Sequence, residues 1–132
     1  MQQILKRKLL FFIERARQAR QDAMQLDADL VMFYAFFADK QTSSTLGICS
    51  NLRGKFNTHL AGIRLLCGKM LEIKSPYSEF ISAREDLSLV IQFEMKALDW
   101  LSRYVRDIYF ENLWNGKNGP PQLCKPKLTD AK

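Results

Sequence analysis

Leu5, Leu9, Phe12, Ala16, Ala19, Ala23, Leu26, Leu30, Phe33 and Phe37 follow one another at alternating intervals of four and three. Only a helix gathers such positions into one stripe, and a sustained seven-residue repeat implies neighbouring helices wound against it. Residues 1–46 contain no Pro or Gly, so nothing forces a break. At about 1.5 Å per residue, residues 3–39 make a rod of roughly 55 Å. The central alanines let a neighbour approach closely, with bulky side chains at both ends. A break near Asp27-Ala28-Asp29 is the one alternative, because Asp is a common helix start.

A second helix is predicted over 46–73, after a connection at 39–46 of turn composition. Its stripe is Cys49, Leu52, Phe56, His59, Ile63, Leu66, Met70 and Ile73, with His59 the only polar member. Gly47, Gly54, Ala61 and Gly68 recur at seven-residue intervals, and each helical Gly costs about 1 kcal/mol against Ala. Their retention suggests close contact with the alanine-lined centre of helix 1, so Gly68→Leu is expected to be strongly destabilising. Ser75-Pro76 marks the next start, with Ser as N-cap, Pro at the first helical position and Glu79 at the positive end of the dipole. The third helix is predicted from Pro76 to about Trp114, with Asn115-Gly116 as its stop. Its stripe takes Phe80, Leu87, Ile91, Met95, Leu98, Leu101, Val105 and Ile108, widened by Phe93, Trp100, Tyr104 and Tyr109.

There is no internal repeat and no alternating strand pattern. The expected fold is all-α: an antiparallel bundle of three long helices (four if the first breaks near Asp27) with coiled-coil-like packing. Residues 1–116 form one domain, and 117–132 read as a flexible basic C-terminal tail. Leu30 to Phe37 is apolar on nearly every side, and such a helix must be covered on every side. Either the other two helices enclose it or a partner does; a homodimer is one such arrangement.

With 47% hydrophobic residues in 132, the chain can build a real core, which excludes general disorder. Three cysteines, Cys49, Cys67 and Cys124, form no C-x-x-C and no paired framework, which points to a reducing, cytoplasmic setting. Lys6-Arg7-Lys8 precedes an apolar run, as in a signal peptide, but Leu9 to Ile13 is only five residues and charges follow at once. No stretch reaches transmembrane length.

The net charge is +6 and unevenly spread. Residues 1–20 carry six bases, Lys6, Arg7, Lys8, Arg15, Arg17 and Arg20, and one acid; residues 21–50 carry one base and four acids. The basic patch reads first as a solvated face turned toward an acidic third helix. A phosphate-bearing or acidic partner is the other use of such a cluster. No nucleic-acid-binding motif accompanies it, and sequence-independent binding is the form that a nucleic-acid role would take. A membrane-surface role for Lys6-Arg7-Lys8 with the apolar residues after it is a further option.

One His excludes catalytic pairs and metal sites built on two histidines, and no G-K-[ST] follows any glycine. No cofactor or metal is expected. One constellation points to chemistry: Arg53-Gly54-Lys55-Phe56-Asn57-Thr58-His59 places an Arg and a His with five residues between them. This spacing resembles the signature of the HEPN ribonucleases, all-helical domains that usually dimerise. The resemblance implies that Arg53 stabilises phosphate while His59 assists 2′-OH attack in metal-independent RNA cleavage. It departs from the family in having Gly54 where a polar residue commonly follows the Arg, and in placing the motif on a middle helix. Arg53 and His59 lie about 120° apart around the helix, so their cooperation would need a second subunit. The simpler reading of His59 is a polar seam residue bonded to a neighbour.

The preferred reading is a non-catalytic, cytoplasmic helical protein of adaptor, chaperone-like, regulatory or inhibitory type. Its protein partner would meet Phe33, Phe36, Phe37 and Trp100, steered by Arg15, Arg17 and Arg20.

Overall fold

The computed structural model describes residues 2–38 and 43–106; the tail at 117–132, the last stretch of the predicted third helix and the residues between Ala38 and Ser43 lie outside them. Three helices result, α1 (Gln2–Phe36), α2 (Ser43–Leu71) and α3 (Ser78–Arg106). They run up, down and up, and each packs on both others. Asp22 of α1 faces His59 of α2, Arg20 faces Asp86 of α3, and Cys49 faces Leu101. Among the described residues the bundle is all-α with three helices, because α1 passes through Asp27 and Asp29 without a break. Gln25 donates to Asp29 one turn on, so a carboxylate that could have capped a new helix is instead bonded along the old one.

The stripe of α1 packs as its spacing requires. Leu9, Phe12, Ala16, Ala19, Ala23, Leu26, Leu30 and Phe33 are all buried. Leu5, at 51% exposure, stands on the first turns, and Phe37 is half-buried at the other end. Past Phe33 the helix closes with Phe37 N–H and Ala38 N–H both donating to the Phe33 carbonyl. The Ala38 carbonyl then accepts the hydroxyl of fully buried Tyr104 at 2.6 Å, which ties the end of α1 to α3. Phe33, Trp100 and Tyr104 form an aromatic cluster at this end, Phe33 meeting the other two edge-on at 6.1 and 5.1 Å. Such pairs add about 0.5–1.5 kcal/mol beyond their buried area.

Four local expectations change. Ser43, Ser44 and Thr45 open α2 instead of forming a turn, which fits the preference of small hydroxyl residues for helix starts. Ser75 does not cap α3: its Oγ accepts the Tyr77 N–H at 3.1 Å, and the carbonyl of Tyr77 accepts from Phe80 and Ile81 as the helix begins. The α3 stripe is displaced from the predicted one. Met95 is 48% exposed, while the buried positions are Phe80, Ala83, Leu87, Val90, Glu94, Ala97, Leu101 and Tyr104, with Phe93 and Trp100 beside them. The buried stripe thus runs through a glutamate.

The glycines are the fourth correction. Gly47, Gly54, Gly62 and Gly68 all face solvent, and a Cβ built on any of them meets nothing within 4 Å. Ala61 is exposed too. The seven-residue spacing puts Gly47, Gly54 and Gly68 on one side, but that side is the outer one, so no close packing with α1 explains them. A strong penalty for Gly68→Leu is therefore no longer expected. Gly62→Ala and Gly68→Ala should each stabilise the fold by about 0.5–1 kcal/mol, since both remove backbone entropy without a clash. Urea denaturation reads this as a higher midpoint at constant slope; a lower midpoint at either position contradicts the open packing.

Candidate functional site

At one level of the bundle each helix contributes one polar side chain, from the stripe itself on α2 and α3 and from beside the stripe on α1. Glu94 occupies a seam position of α3 and has no exposed surface. His59 of α2 is half-buried opposite it, and its Nδ1–H donates to Glu94 Oε2 at 2.5 Å. Asp22 of α1 completes the set, with Oδ2 3.9 Å from His59 Nε2. The other carboxylate oxygen, Glu94 Oε1, has no hydrogen-bond partner among the described residues. No group of three or more His, Cys, Asp or Glu among the described residues could hold a metal ion.

His59 opens onto the groove between α1 and α2. Two open hollows of about 790 and 430 Å³ share Asp22, Thr58 and His59. Lys55 and Asp29 line the first, and Arg15 and Gln18 the second. Small residues on α2, Gly54 and Gly62, keep this wall low. The imidazole therefore has one nitrogen committed to a buried acid and the other directed at Asp22 on the groove.

Environment sets both protonation equilibria. The hydrogen bond that His59 donates to Glu94 raises the His59 pKa above its ordinary 6.5; burial opposes this, and the charges of Glu94 and Asp22 add to it. Burial raises the Glu94 carboxyl above its ordinary 4.5, with the bond and charge of His59 lowering it in part and Asp22 raising it further. Each group binds its proton more tightly in the folded chain than in the unfolded one. Elsewhere, burial pushes the Cys49 thiol up to about 12 against the lowering charge of Arg53, which leaves it an inert core residue.

The residues singled out from sequence fall in different places. Arg53 does not line the groove with His59; it is half-buried, its charge acts on Cys49, and its Nε lacks a partner among the described residues. One chain therefore does not bring Arg53 and His59 to a common cleft among the described residues. Phe33 and Trp100, expected at a partner surface, are core residues, each 1% exposed. Their rings pack on each other and on Tyr104, so only Phe36, exposed, and Phe37, half-buried, remain from that set. The basic patch divides. Arg17 sits 3.5 Å from Glu14 and Arg20 3.9 Å from Asp86, and both line a groove toward α3 with Glu79. Lys6, Arg7, Lys8 and Arg15 stay exposed and make no ion pair with a described residue. Glu94 and Asp22 were not identified from sequence. The signal for Glu94 was available: it stands seven residues after Leu87 and seven before Leu101, on the seam itself.

Two outcomes follow from the buried pair. Both shifts are upward, so the folded chain holds more protons than the unfolded chain, and stability falls as pH rises. The Glu94 contribution begins to be lost above about 4.5; the His59 contribution is complete below 6.5 and disappears as pH passes its raised folded value. Urea midpoints at pH 5, 7 and 9 should decline more steeply in the wild type than in a His59→Leu/Glu94→Leu double variant, and equal slopes would contradict this. His59→Leu alone strands a buried carboxylate and should cost about 3 kcal/mol, whereas the double variant should lie near the wild type or above it. Compared with known protein families, curated proteins and solved structures, the chain matches none.

Proposed function

We propose that the chain is a non-catalytic interaction protein that presents helical surface to a protein partner. The supporting observation is at the C-terminal end of α1. Met32 and Phe36 lie one turn apart on its outer side, 55% and 58% exposed, with Ala28 and Ala35 exposed beside them. Side chains at this spacing form one continuous ridge. The ridge ends beside half-buried Phe37, and the aromatic cluster beneath it holds the backbone rigid. The fitting occupant is an amphipathic helix that lays its own apolar stripe along Met32 and Phe36. A second copy of this chain is one source of such a helix, and another protein is the other.

A photo-crosslinking residue in place of Phe36 should give a discrete adduct, and the same residue in place of exposed Gln92 of α3 should give none. Adduct mass then tells self-association from a different partner. Equal labelling at both positions, or none at Phe36, overturns the proposal.

The ribonuclease reading rests on a separate observation, the orientation of His59 by Glu94 with Nε2 toward an open groove. It predicts metal-independent cleavage of single-stranded RNA that is lost in His59→Ala with helicity intact. Absence of cleavage by clean wild type removes it.

A further inference from the structure

At the other end of α1, the solvent side of the first three turns carries an arrangement that packing within the bundle does not explain. Leu10 and Phe11 are 43% and 56% exposed, although their neighbours Leu9, Phe12 and Ile13 are all buried. Basic side chains stand on both flanks: Lys6 and Arg7 about one turn earlier, Lys8 and Arg15 on the side toward α2. The Arg15 guanidinium lies over the Phe11 ring, 5.7 Å from its centroid. Glu14, the one acid in this stretch, is paired with Arg17. Lys6, Arg7 and Lys8 have no acidic partner among the described residues and occupy the first turns of the helix, which contain no acid at all.

We infer that this face of α1, Leu10 and Phe11 framed by Lys6, Arg7, Lys8 and Arg15, docks on an anionic lipid surface. Charge and shape argue for this occupant together. Apolar side chains in a narrow strip with basic groups on either side form the layout of a helix lying in a membrane interface, where the strip enters the acyl boundary and the bases remain among the headgroups. A nucleic-acid backbone would satisfy the cations but leave Leu10 against phosphate. Deep insertion is not available, since the opposite face of α1 is committed to the core and no described helix is long and apolar enough to cross a membrane. Contact is therefore shallow, reversible and salt-sensitive. The charge distribution assists orientation, because the bases are gathered in residues 1–20 and acids dominate residues 21–50.

Vesicle flotation of the full chain tests the inference. Vesicles of phosphatidylcholine with about one-third phosphatidylserine should retain at least about tenfold more protein than phosphatidylcholine alone, and raising salt should erase most of the difference. Leu10→Ser/Phe11→Ser should reduce retention on the anionic vesicles about tenfold. Both positions are exposed, so circular dichroism should not move, and the urea midpoint should fall only by what the Phe11 ring contributes against Phe12. Lys6→Glu/Arg7→Glu should abolish retention. No retention by the wild type, or equal retention on neutral vesicles, overturns the inference. So does full retention of the serine variant together with salt-sensitive binding of single-stranded DNA, which would make the patch a general polyanion surface. Phe36→Ser, at the far end of α1, should leave flotation unchanged, so this result and that of the crosslinking experiment are independent.

Discussion

A 35-residue helix with an apolar stripe along most of its length must bury that stripe, and the whole bundle is arranged to cover it. The stripe is uneven: large side chains at Leu9 and Phe12, methyl groups at Ala16, Ala19 and Ala23, then large ones again from Leu26 to Phe33. α2 and α3 can close on the narrow middle, and the aromatic cluster fills the wider end. Asp22, His59 and Glu94 lie at the level of these methyl groups. Water is excluded from Glu94 there, and its carboxylate depends on a single imidazole. The proton linkage follows from that dependence.

The α1 stripe was legible because every one of its positions is apolar and the intervals never vary. The α3 stripe was misplaced for the converse reason. Counting apolar residues passes over Glu94, and the next apolar side chain, Met95, then takes a slot that belongs to its neighbour. His59 was recognised as a polar interruption of a seam, but a sequence does not say which residue of another helix sits opposite, so its partner was not found. Relative rotation of helices is fixed by three-dimensional packing, and one-dimensional periodicity constrains each helix only about its own axis.

The glycines and aromatics failed in a related way. A glycine stripe records that a side chain is absent, whether a neighbour lies close or only solvent does; here the space is open. Phe33 and Phe36 are chemically identical and three residues apart, yet one is sealed in the core and the other faces outward. Their difference comes from Trp100 and Tyr104, which close over Phe33 from positions 67 and 71 residues further along the chain. Burial of this kind is a property of the assembled bundle.

The uninterrupted course of α1 sets a fixed interval. Phe11 and Phe36 are separated by about 38 Å along the axis, and the helical repeat returns them to within about 20° of the same side. With no hinge between them, the two outward rings behave as marks on a ruler. Whatever meets one ring is thereby held at that interval from whatever meets the other.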